Sequence, residues 1–175
     1  MAEKPRKDRK MLIDQIDEFK KISRFAFESD GSHVTLYILN VNGVTRLQPC
    51  FWKDQDDKME SIESLKEMIA SGDLREYVLI AEAWLVEKQL PSSIKDVTDH
   101  LGEMGSLEDH PDRKESLIIE YASFKTSKSY VADIRRDDDK VTLGDWETWD
   151  ENYSLGGLVY GKMQNLFELS KAGLN

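Results

Sequence analysis

The sequence predicts a single α+β domain. Its antiparallel sheet has about five or six strands, an N-terminal hairpin plus a C-terminal meander, with helices at both termini and between the sheet halves. Three observations predict this. Asn42-Gly43 stands between two β-rich runs and is a strong hairpin signal, because both turn positions need positive φ. The stretches "SLIIEYASF", "SYVADIRR" and "VTLGDWETW" follow one another across the short polar turns "KTSK" and "DDDK", the pattern of a meander. Elsewhere apolar residues recur every three or four positions, the spacing of a helix with one buried face.

Taken in order, the first helix runs from Arg6 to Ser29 on Leu12, Ile16, Phe19, Ile22 or Ser23, and Ala26. Asp30-Gly31 ends it. Strands follow at about 33–41 and 44–52, with Pro49 making the second an edge or a bulge. "DDKMESIESLKEMIASGD" is a second helix, with Met59, Ile62, Leu65 and Ile69 on one face and Gly72 past its end. "EYVLIAEAWLVE" is apolar on both alternating sets, so this strand is covered on both sides and central. The segment 88–114 is too long for a tight turn, and Ile94, Val97 and Leu101 place a short helix in it. After the meander, a helix over about 155–171 carries Leu155, Val159, Met163, Leu166 and Leu169.

A chain of 175 residues can bury roughly 70% of its unfolded surface, which suits one domain. The net charge of −10 is uneven. Residues 1–10 hold five basic and two acidic side chains, leaving the other 165 at −13. So acidic a body disfavours phosphate backbones and nucleic acid is not the expected partner, a nucleic-acid accessory role for the basic start being the third and weakest reading. The basic start reads as a flexible tail. Cys50 is the single cysteine, which excludes an internal disulfide and a Cys-x-x-Cys zinc site; among apolar neighbours it reads as a buried thiol. Neither a signal-peptide core nor an 18-residue apolar run is present, so no membrane is expected and the location reads as cytoplasmic.

Several motif matches fail on their chemistry. "GGLVYGKM" (156–163) has the spacing of a phosphate loop. Met163 replaces the hydroxyl that would hold Mg²⁺, however, and no apolar strand precedes it. "DQDDKMESIE" puts Met59 where a calcium loop needs glycine. "HPD" (110–112) lacks the acidic-x-Lys strand of one nuclease class, since Glu120-Tyr121-Ala122 stands there. His33, His100 and His110 show no metal-ligand spacing, and no nucleophile elbow occurs.

Two glutamates interrupt otherwise apolar strands, Glu82 in "YVLIAEAWLV" and Glu120 in "SLIIEYASF". A buried lone carboxylate costs several kcal/mol, so each needs a partner. If these strands pair with residue numbers summing to about 202, Glu82 faces Glu120, and together they could hold a divalent cation or share a proton. Otherwise each pairs with Arg113, Arg135 or Arg136, or faces solvent. The turn before the second strand adds His110, Asp112, Arg113 and Glu115. Pro111 makes His110 extended, and Asp112 can accept turn hydrogen bonds. His110 or Arg113 could also fold over Glu82.

The strand with Glu82-Ala83-Trp84, an insertion, then His110-Pro111-Asp112-Arg113-Lys114-Glu115 and an apolar strand resembles a family of prokaryotic and phage proteins. The similarity covers about residues 76–144, including "DIRRDDDKVTLG". It implies a shared domain and carries over no activity and no site. The sequence thus supports a non-enzymatic module that binds a protein partner or itself, without a cofactor. Trp146, Trp149, Tyr153 and Tyr160 serve as an interface or as core. The alternative is a metal-dependent hydrolase using Glu82 and Glu120, with His110, Asp112, Arg113 and Glu115 as further candidates.

Overall fold

The computed structural model describes residues 10–85, 111–150 and 166–167. A 3-10 turn, Leu12–Gln15, leads into helix α1, Ile16–Asp30. Gly31 stops α1 in the left-handed conformation and its N–H donates to the Phe27 carbonyl. β1 (Leu36–Val41) and β2 (Val44–Pro49) form the expected hairpin, with φ of 51° at Asn42 and 77° at Gly43. Asp54 caps α2 (Gln55–Ala70) by accepting from the Asp57 N–H, so the acidic run at its start is a helix cap. Next come β3 (Leu74–Leu85), β4 (Lys114–Ser123), β5 (Ser127–Asp137), β6 (Lys140–Leu143) and β7 (Glu147–Asp150). The inserted helix at 94–101 and most of the terminal helix lie outside the described residues, of which Leu166 and Phe167 are helical.

Among the described residues the sheet has seven strands, one or two more than the sequence suggests, in the order β2-β1-β3-β4-β5-β6, with β7 also on β5. All pairings are antiparallel. β2 and β3, either side of β1, are therefore parallel, and α2 crosses one face to join them. The added strand comes from "VTLGDWETW". Ile134 pairs with Leu143 and Val131 with Glu147, so three residues of the outer strand oppose two of β5. That extra residue is a bulge, and it splits one expected strand into β6 and β7. α1 holds the break: Arg24 donates to the Leu143 and Gly144 carbonyls at 2.7 and 2.6 Å, and Glu28 accepts from the Leu143 N–H.

Each sheet face has its own core. On the first, Val78, Ile80, Leu117, Ile119 and Tyr121 pack under Leu12, Ile16 and Phe27. On the second, Tyr37, Leu39, Tyr77 and Leu79 pack under Leu65 and Ile69 of α2 and under Leu166 and Phe167. β3 lies between β1 and β4 and is buried on both faces over most of its length, as its unbroken apolar run requires. Trp146 packs on the first core and so serves packing. Tyr153 and Tyr160 lie outside the described residues.

Candidate functional site

The register corrects the pairing of the two glutamates. β3 and β4 pair with numbers summing to 199, which sets Glu82 against Leu117 and Glu120 against Leu79. The offset of three residues also puts them on opposite faces, because alternate residues of a strand point to opposite sides. Glu82 and Glu120 are therefore not brought together as a cation site. Among the described residues, no three acidic, histidine or cysteine side chains gather as metal ligands.

Glu120 lies in the second-face core, 3% exposed. Its Oε1 accepts from the Tyr77 hydroxyl at 3.0 Å, and that same hydroxyl accepts from the Leu166 N–H at 3.1 Å. Tyr77 stacks flat on Phe167, with ring centroids 5.7 Å apart, and meets Tyr37 edge to face. Burial, and next the charge of Glu120, push both tyrosine hydroxyls well above their ordinary pKa. The cluster locks residues 166–167 onto the sheet.

A second buried carboxylate escaped the sequence reading. Glu76 is 2% exposed on the first face, and its Oε1 accepts from the Leu12 N–H at 3.2 Å and the Asn40 side-chain N–H at 2.7 Å. Regular alternation with Val78 and Ile80 puts it there, and a bulge beside it turns Leu74 the other way. Asn40 pairs with Glu76 but Val41 pairs with Leu74, leaving Arg75 as the extra residue. Leu74 then reaches the second core while Glu76 turns beneath the 3-10 turn, where an unbroken strand would give both the same face. Burial raises the pKa of Tyr121, and the nearby charge of Glu76 adds to this.

Glu82 and Glu115 do meet, around Arg136. The guanidinium grips Glu115 through both Nε (2.8 Å) and Nη2, lies 3.7 Å from Glu82 and donates to the Gly31 carbonyl at 3.0 Å. Glu82 also accepts from the His33 N–H. Hydrogen bonding and charge from Glu115, with a smaller contribution from Glu82, raise the Arg136 pKa. This is the ion-pair arrangement, and it ties the end of α1 to the sheet. Arg113 does not fold over Glu82 but stacks on the Trp84 ring, 4.5 Å from its centroid. Asp112 lies in the exposed turn before β4, and His110 is outside the described residues. Cys50, expected buried, is half-buried at the margin of the second core.

Glu82, Glu115, Glu120 and Arg113 therefore each have a partner within the fold, and among the described residues the surface with unmet chemistry lies on the β1–β2 hairpin. β2 is an outer strand exposed along nearly its whole length. Cys50 N–H donates inward to Thr35, so by alternation Val44, Arg46 and Gln48 turn their backbone groups to β1. Thr45 and Leu47 turn theirs outward, a row of unmade ladder bonds. Leu47 shares a face with its partner Ile38, the α1 side of the sheet, yet it is 66% exposed. Val34 and Phe51 extend the same alternation beyond the strand ends and are also exposed, Phe51 by 75%. α1 leans away from this strip, since Arg24 and Glu28 engage β6, while Ile22 and Phe25 stand open to solvent.

The chain matches no family model, no curated protein and no solved structure. Among the described residues no helix is long and apolar enough to cross a membrane.

Proposed function

We propose that this chain is a non-enzymatic, cytoplasmic protein-binding module that docks through the open β2 edge and the apolar strip of Val34, Leu47 and Phe51 beside it. One observation carries this reading. Large apolar side chains are exposed in a row directly beside unmade backbone bonds, the arrangement used when one chain adds a strand to another's sheet. The opposite edge lacks it, because a bulge and the charged Lys140, Asp145 and Glu147 interrupt that side. The proposal that the chain shares its domain with prokaryotic and phage proteins rests on the Glu82-Ala83-Trp84 and His110–Glu115 residues alone.

The test pairs two variants with two readouts. Leu47→Lys with Phe51→Lys removes retention of the folded chain on a phenyl matrix and leaves the melting midpoint within about two degrees, since both residues are exposed. Retention that persists sinks the docking reading. The alternative, a divalent-metal hydrolase at Glu82, predicts that Mg²⁺, Mn²⁺, Ca²⁺ or Zn²⁺ raises the wild-type midpoint by several degrees and that Glu82→Gln loses the effect.

A further inference from the structure

We infer that the occupant of the β2 edge is a second copy of this chain, paired antiparallel about a two-fold axis at Leu47. This rests on the docking reading above and names its partner.

The edge chemistry selects one register. Thr45 and Leu47 carry the outward N–H groups and Pro49 adds an outward carbonyl, so these residues form the new ladder. Pairing Thr45 with the partner's Leu47 would set Arg46 directly against the partner's Arg46, and like charges opposite each other repel. Moving two residues along places Leu47 against the partner's Leu47 and Thr45 against the partner's Pro49. That arrangement uses every outward N–H, because Pro49 contributes only its carbonyl, and it puts apolar contact on the axis.

Charge complementarity supports the same register. Arg46 is the charged residue of β2; it is exposed and has no ion-pair partner among the described residues. In the chosen register it sits beside the partner's Gln48. Within one chain, Gln48 donates to Ser61 of α2 at 3.3 Å, so this position borders that helix. α2 carries five acidic and two basic side chains; helical spacing puts Asp57 beside Ser61, and Glu60 lies about a quarter-turn further round, where it is exposed. Each Arg46 is thereby delivered to the partner's acidic helix, twice by symmetry.

Sedimentation velocity from about 1 to 200 µM, the range in which a moderate dimer dissociates, tests this. The wild type passes from one chain mass to two. Thr45→Pro, which deletes an outward N–H and no bond within the chain, and Leu47→Lys both remain at one mass. Arg46→Glu weakens association by about tenfold or more, and adding Glu60→Lys restores it. A dimer that survives Leu47→Lys places the interface elsewhere and overturns the inference, as does a wild type of one mass throughout. In the latter case, phenyl retention that Leu47→Lys abolishes leaves the docking surface standing for another protein's strand. Retention that Leu47→Lys does not change removes the docking reading as well.

Discussion

Glu76, Glu120 and Glu82 show how much a carboxylate's role depends on what surrounds it. Glu76 is buried with two N–H donors, so replacing it with alanine strands the Leu12 N–H and the Asn40 amide. Glu76→Ala lowers unfolding free energy by about 2–3 kcal/mol and Glu76→Gln by less, because the amide oxygen still accepts. Urea denaturation measures both, and an alanine cost under about 0.5 kcal/mol would remove the pinning role. Arg136→Met leaves Glu82 and Glu115 half-exposed without their shared cation. It costs about 1 kcal/mol, a figure held down by solvent screening, and Arg136→Lys costs less. The tyrosines fix the alkaline limb. Their folded pKa is raised, so their contribution is intact below pH of about 10, where the unfolded chain's tyrosines ionise, and is lost progressively as pH climbs toward the folded value. Each tyrosine steepens the loss by about 1.4 kcal/mol per pH unit in that window, and Tyr37→Phe removes its share. An unchanged alkaline slope in Tyr37→Phe would contradict the burial of that hydroxyl.

At the scale of elements, what was legible was local. Asn42-Gly43 wrote its own turn, the doubly apolar run of β3 announced a central strand, and α2 followed its spacing at Ile62, Leu65 and Ile69 but not at Met59, which is exposed. What stayed hidden needed a partner strand to define it. An extra residue at Arg75 or near Gly144 leaves no mark on local alternation, since a bulge is a count of one strand against another. Hence Leu74 fell outside the expected run, which began at Glu76. The β3–β4 register was missed by three because the residues between the strands do not fix a pairing as a two-residue turn does. The alternation along β2 makes a sharp prediction of its own. Arg46→Pro removes an inward ladder bond and costs about 2–3 kcal/mol, whereas Thr45→Pro costs under about 1 kcal/mol by thermal or chemical denaturation. Equal costs would show that the strand's inward and outward sides are assigned wrongly.

For the molecule as a whole, the sheet is roofed unevenly. Among the described residues, α2 and residues 166–167 cover the second face, while α1 and the 3-10 turn cover the first from β1 outward to β6. The buried carboxylates sit beneath those roofs, in hydrogen-bonded positions that fix α1 and residues 166–167 on the sheet. The open corner holds the unmade bonds and exposed apolar side chains, and the proposed function lies there. Amide hydrogen exchange along β2, read residue by residue at about 1 and 200 µM, tests that claim most directly. Val44, Arg46 and Gln48 exchange slowly at both concentrations, because their N–H groups bond to β1. The account predicts that Thr45 and Leu47 exchange freely in the dilute sample and become as slow as their neighbours in the concentrated one. If both amides exchange freely at every concentration beside protected neighbours, the edge accepts no second copy and the self-pairing account is contradicted.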